Sequence, residues 1–199
     1  MPAVIGAVRN LVGMSRAMMI AVIILCIFSI YWSAASKNSK PAASSESKAS
    51  RGFHVFLINA GFFLLVFSIP GLTRQILPES HLLEGCGLAL ELVGFALAVW
   101  ARRALGSNWS GEVRIATGHQ LVRSGPYRRI RHPIYTALLA MYGGTMLVSG
   151  ELHALLAWLL IVLAYIRKLR MEEAAMASAF GDEFSAWRNN SWRLLPRVY

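Results

Sequence analysis

Residues 119 to 135 read HQLVRSGPYRRIRHPIY, a polar stretch set between apolar runs and crowded with groups that bind rather than merely connect. Arg123, Arg128, Arg129 and Arg131 supply cations, His119 and His132 imidazoles, Tyr127 and Tyr135 phenols, and Gly125-Pro126 a turn. Arg131-His132-Pro133 reads as a helix start, with His132 near the N-cap and Pro133 preset for the first turn, where a missing amide has no partner to lose. Unpaired amides at such a start suit an anionic group. A second set, Glu172 and Glu173, stands on a long helical stretch. Neighbours on a helix point about 100° apart, so the pair reads as one carboxylate facing inward and one facing water, not as a coupled acid/base site. Each piece alone has an ordinary explanation: arginine at lipid headgroups, proline at a helix start, and a solvated helix face supported by Lys168 and Arg170.

The elements that must position these groups are apolar helices. With 56% hydrophobic and 15% charged residues the chain is too apolar for a soluble domain and reads as an all-α polytopic membrane protein. Five spans are expected, over residues 17–32, 52–69, 82–100, 134–148 and 152–166. The fourth and fifth are separated only by Ser149-Gly150-Glu151 and must form an antiparallel hairpin. No breaker follows the fifth until Gly181, so that helix should leave the membrane and carry Glu172 and Glu173 about two turns beyond it, ending at Gly181. Residues 33–50, SAASKNSKPAASSESKAS, read as a flexible linker, dividing the chain into an N-terminal helix and linker (1–50) and a core (51–199). Within the spans, His54 and Asn59 read as bundle contacts, and Cys26 and Cys86 as unpaired cysteines. Glu91 is either functional or bonded to a polar group on a neighbouring helix.

Charge sets the orientation. Of the 20 Lys and Arg, 17 fall on the side holding the linker, the basic loop and the C-terminus, leaving Arg9, Arg16 and Arg74 opposite. That side is cytoplasmic by the positive-inside rule, with the N-terminus outside, and the argument requires the first helix to be retained rather than cleaved as a signal peptide. The net charge of +10 sits beside apolar spans, so its counterpart is anionic lipid rather than nucleic acid.

Taken together the motifs are far more specific than their parts. His119, Leu121 and Val122, then Ser124, Gly125 and Tyr127, then Arg131, His132, Pro133 and Tyr135 are followed by a hairpin, by Glu172 and Glu173, and by Phe180, Gly181, Phe184 and Pro196. In order and spacing, residues 106 to 197 resemble the isoprenylcysteine carboxyl methyltransferase family. The resemblance implies a cytoplasmic C-terminal region, about 106–199, wrapped around S-adenosyl-L-methionine, with a lipophilic or prenylated acceptor entering from the bilayer and no metal. It implies that His119, Gln120, Leu121, Val122, Tyr127, His132, Pro133, Ile134 and Tyr135 line the cofactor site and that Glu172 binds the cofactor. It further implies that Lys168 and Arg131 steer the acceptor's anionic group, with Glu173 on the substrate side. Two departures stand out: Lys168 where the family usually has arginine, giving a point charge in place of a planar fork, and Ala137 where many members have glycine. A carboxylate acceptor is ionised at neutral pH, so such a site needs orientation and desolvation rather than a general base. Phospholipid N-methyltransferases, which keep the cofactor, NADPH-dependent sterol reductases, which share a similar hairpin, and a non-enzymatic lipid-binding scaffold are the other readings.

Overall fold

A computed structural model describes residues 14–36, 46–106, 109 and 121–197. Among the described residues five α-helices follow in order: α1 (Arg16–Ser36), α2 (Lys48–Val66), α3 (His81–Leu105), α4 (Pro133–Ser149) and α5 (Leu152–Asn189), with a 3₁₀ turn (Gly125–Arg128) before α4. Among the described residues there is no strand, only two isolated bridges, Gln75 with Glu151 and Ile130 with Trp192. The starts and stops are local chemistry. Ser15 Oγ accepts the amide of Met18 at 3.1 Å, and Ser47 Oγ that of Ser50 at 3.2 Å, supplying N-caps for α1 and α2. His132 is the N-cap residue of α4 with Pro133 behind it, and Gly150 closes α4 in the left-handed conformation at φ 64°.

α1, α2, α3 and α5 are each long and apolar enough to cross a membrane. They present Ile23, Ile30, Phe56, Val93 and Leu163 outward, an apolar surface that belongs against lipid. α4, at 17 residues, is shorter than the roughly 20 of a perpendicular span. It packs chiefly on α3, and the contact is close because glycines meet. A Cβ on Gly87 would stand 2.6 Å from the Gly144 carbonyl, and one on Gly94 would stand 2.7 Å from that of Ala137. Glu91 lies between those two glycines on the same face of α3, fully buried with Thr145 beside it. The hairpin expected of α4 and α5 is present, and Trp158 Nε1 donates to the Leu139 carbonyl across it at 3.0 Å.

The helix breaks at Gly181, where its end was expected, at φ 49°, ψ −120°, and a further helical stretch continues to Asn189 carrying the buried Phe184 and Trp187. One expectation changes: the Ser-rich segment is not loose at both ends. α1 runs through Ser36, and from Glu46 onward the chain is fixed by a buried ion pair to Lys168 and by the cap of α2; residues 37–45 lie outside the described residues.

The polar connections gather at two ends of the bundle. At one, the α2–α3 connection meets the α4–α5 turn through Ile76 N to Gly150 O at 2.9 Å and Leu152 N to Arg74 O at 2.9 Å. At the other, the basic loop, the exit half of α5, the C-terminal segment and the start of α2 come together.

Candidate functional site

The second end is built around one imidazole. His132 makes no cap bond; its ring turns instead toward α5. Nε2 lies 3.3 Å from Glu173 Oε1 and Nδ1 lies 3.5 Å from Glu172 Oε2. The two carboxylates were expected to diverge, and as side-chain directions they do. An imidazole offers nitrogens on opposite sides of its ring, so both still reach the same residue. Burial alone would lower the pKa of His132, but hydrogen bonds to Glu172 and Glu173 and their charges outweigh it and hold it above its ordinary value.

The partners of the two glutamates then differ. Glu173 is buried, and burial would raise its pKa, yet donors from His132, Arg193 and Arg131 hold it well below the usual carboxylate range. Arg131 Nε donates to its Oε1 at 2.9 Å and Arg193 Nη2 to its Oε2 at 2.6 Å. Arg131 is engaged on its other side as well: Nη1 donates to the carbonyls of Arg188, at 3.0 Å, and Ser191, and to Ser191 Oγ. Glu172 is less enclosed, with a side chain 23% exposed. Its Oε1 accepts the Tyr135 hydroxyl at 2.5 Å, while its Oε2 has the 3.5 Å contact with His132.

Aromatic rings carry the layer onward. His132 stacks on Tyr135 with centroids 5.6 Å apart, Tyr135 on Tyr165 at 4.9 Å, and Tyr165 meets the His54 ring edge-on at 5.7 Å. Tyr127 is buried on the 3₁₀ turn, where its carbonyl accepts Trp187 Nε1 at 3.3 Å; burial and then the Glu172 charge push its phenol well above the ordinary value. Gly125 makes that turn possible at φ 57°, a conformation that side-chain-bearing residues rarely adopt. Leu121 and Val122 pack on the same core, Pro133 and Ile134 are buried at the start of α4, and His119 and Gln120 lie outside the described residues. Lys168 is 2% exposed and paired with Glu46 at 2.5 Å.

Just ahead of the helix start, the Arg131 amide donates to the Trp192 carbonyl at 2.8 Å and the His132 amide to that of Arg193 at 3.1 Å, while Thr136 Oγ1 donates to the Leu194 carbonyl at 2.8 Å. The C-terminal segment is thus strapped across the start of α4. Sequence reasoning missed Arg193, Glu46 and Tyr165. Only Glu46 left a signal, as the single acid in a stretch of serine, alanine and lysine.

A cavity of about 600 Å³ opens at the opposite end, among Met18, Gln75, Glu84, Glu151 and His153. Glu151 there is paired with His153 at 3.1 Å, and none of the motif residues lines it.

Known proteins match this arrangement. The family model described as phospholipid methyltransferase matches residues 83–183. The cobalt-zinc-cadmium resistance protein CzcN of Cupriavidus metallidurans is 35% identical over 56% of this chain and 50% of its own length. The protein-S-isoprenylcysteine O-methyltransferase of Schizosaccharomyces pombe is 31% identical over 40% of this chain and 34% of its own, so the chain matches half of these relatives' length or less. A probable protein-S-isoprenylcysteine O-methyltransferase of Oryza sativa subsp. indica is 23% identical over 72% of this chain and 76% of its own. In fold, the solved structure of the eukaryotic intramembrane Ras methyltransferase, isoprenylcysteine carboxyl methyltransferase, aligns with a TM-score of 0.56 at 22% identity, covering 77% of this chain and 54% of that one. The chain belongs to the phospholipid methyltransferase family and is similar in sequence and in fold to the isoprenylcysteine methyltransferases.

Proposed function

We propose that this chain is an integral membrane methyltransferase that uses S-adenosyl-L-methionine to esterify the carboxylate of a lipophilic, isoprenylcysteine-like acceptor. Glu172 carries the reading. It is the one carboxylate of the pair that keeps both partial exposure and accepting capacity, since Glu173 is fully engaged by Arg131, Arg193 and His132. The ribose hydroxyls and the amino group of the cofactor are donors that a half-buried carboxylate can take, so the residues present fit it. When bound, the cofactor would supply an electrophilic methyl group on a positively charged sulfur for transfer to the acceptor carboxylate, which is already ionised at neutral pH and needs no general base.

The chain's own residues do the holding. Tyr135 and His132 fix the Glu172 carboxylate by hydrogen bonds, Tyr127, Ile134 and Pro133 wall the site, and His119, Gln120, Leu121 and Val122 close it from the loop. Arg131 and Glu173 act as positioning residues, locking the C-terminal strap and the imidazole in place, and Lys168 faces the acceptor. All five helices span, with the N-terminus outside and the site on the cytoplasmic side; the 17-to-3 division of Lys and Arg supports this, as does the gathering of the polar segments at one end. Calorimetry with S-adenosylhomocysteine tests the reading: micromolar binding that is weakened in Glu172→Gln is expected, and binding of NADPH in its place would assign the chain to reductive chemistry. A methyl-transfer assay across prenylcysteine and phosphatidylethanolamine acceptors decides between the carboxylate and the amine favoured by the family's description.

A further inference from the structure

The polar layer continues past Glu172 into a part of the chain that lies outside the matched family segment, residues 83–183. Lys168 stands four residues before Glu172 and therefore on the same face of α5. Its ammonium is buried against Glu46, whose own side chain is fully enclosed. Ser50 Oγ donates to the second Glu46 oxygen at 2.9 Å, and Arg167 Nη2 donates to Ser50 Oγ at 2.7 Å. Next to this pair is His54 of α2, within reach of the charges of Lys168, Glu46 and Glu172, with an Nδ1 that is buried and without a hydrogen-bond partner. The Tyr165 and Tyr135 rings join His54 to Glu172. One helix face thus carries a carboxylate with spare accepting capacity and, one turn away, a buried cation already matched by a carboxylate from another element.

We propose that Glu46 is an internal stand-in for the acceptor's carboxylate, keeping Lys168 neutralised until an acceptor carboxylate takes its place, with His54 Nδ1 as a second polar contact. The proposal rests on the methyltransferase reading above and names the residues that select its acceptor. A buried ammonium cannot stand without a counterion, so Lys168 requires one carboxylate at all times and only exchange can admit a second. Glu46 is placed for exchange, because it lies just before the first turn of α2 rather than within a helix. The incoming group must be anionic: a neutral headgroup gains nothing by displacing Glu46, and an amine would be held by it. Transfer removes the acceptor's charge, so the ester can no longer compete, Glu46 returns to Lys168, and product release follows from the same exchange.

The test uses the full chain in lipid nanodiscs and two probes, N-acetyl-S-farnesylcysteine and its methyl ester, with their affinities measured alongside that of S-adenosylhomocysteine. Glu46→Gln removes the competitor, so the acid should bind about tenfold tighter, the loss of one charge-assisted competing bond, while the ester and S-adenosylhomocysteine are unaffected. Lys168→Met should abolish the preference for acid over ester. Because Glu46→Gln leaves a buried cation without its counterion, the neutral pair Glu46→Gln with Lys168→Gln is measured too, and it should bind acid and ester alike. An unchanged or weakened acid-to-ester ratio in Glu46→Gln, or a retained acid preference in the neutral pair, overturns the proposal. If the wild type fails to bind S-adenosylhomocysteine the methyltransferase reading fails with it; if S-adenosylhomocysteine binds but the ratio does not move, only the role of Glu46 fails.

Discussion

Glu172 and Glu173 are the same residue type, one position apart on one helix, and both touch His132, yet they are set up for opposite tasks. Three side-chain donors converge on Glu173, two of them guanidinium groups, and it is buried. Glu172 has a hydroxyl on one oxygen and a long imidazole contact on the other, and it keeps an open edge. The number of donors supplied by neighbouring elements, not the carboxylate itself, separates a group that holds the structure from one able to hold a ligand.

Breaking the closed side should have the largest effect. Glu173→Ala leaves Arg131 buried without its anion and releases the strap at residues 191–194, so a loss of about 3–5 kcal/mol in unfolding free energy is expected, read from thermal or denaturant unfolding in detergent. A loss under 1 kcal/mol would mean that water replaces the carboxylate and that the site is open on this side too. The open side responds differently. Glu172→Gln should fold nearly as the parent and lose about 1.5–3 kcal/mol in S-adenosylhomocysteine binding, the value of a hydrogen bond to a charged group. Tyr135→Phe sharpens the contrast, because it removes only the hydroxyl that aims Glu172: about 0.5–1.5 kcal/mol in cofactor affinity, with the stacked rings retained. If Tyr135→Phe cost more than Glu172→Gln, the phenol rather than the carboxylate would be the ligand.

How far this contrast could be read from sequence depends on what makes each part. The helices were legible because apolar runs, the Pro133 start beneath the basic loop and the Ser149-Gly150-Glu151 turn are local signals, whereas the cap at Ser47 fell within a segment read as linker. The pairings were not. Arg131, His132 and the glutamates are separated by about forty residues, and which carboxylate Arg131 chooses is decided by how α5 bends back at Gly181 and where Arg193 then falls. The family resemblance singled out Lys168 as a cation for the acceptor, whereas its counterion in the fold, Glu46, lies 122 residues away in a segment whose composition reads as disorder. Composition averages over residues, and one buried ion pair with one cap is enough to fix the end of such a segment.

The smallest effect, and the one that tests whether His132 ties the two carboxylates together, is a dependence of stability on pH. Burial disfavours the charged ring while both glutamates favour it, so the opposed influences leave a pKa raised above 6.5. A group whose folded pKa is raised stabilises the fold fully below its unfolded value, about 6.5, and that contribution is lost as pH rises through the folded value, because the native state then holds a proton that the unfolded chain has given up. Glu173, depressed in the fold, has the opposite sign: its contribution is present above its ordinary value near 4.5 and is lost only as pH falls through its folded value, far into acid. Between those limits both contributions are complete, and on the alkaline side that of His132 fades. The wild type should therefore lose stability as pH rises above about 6.5 more steeply than His132→Gln, with the difference between the two slopes isolating the imidazole. Parallel slopes would mean that the ring is neutral in the folded protein and that Glu172 and Glu173 are held independently of each other.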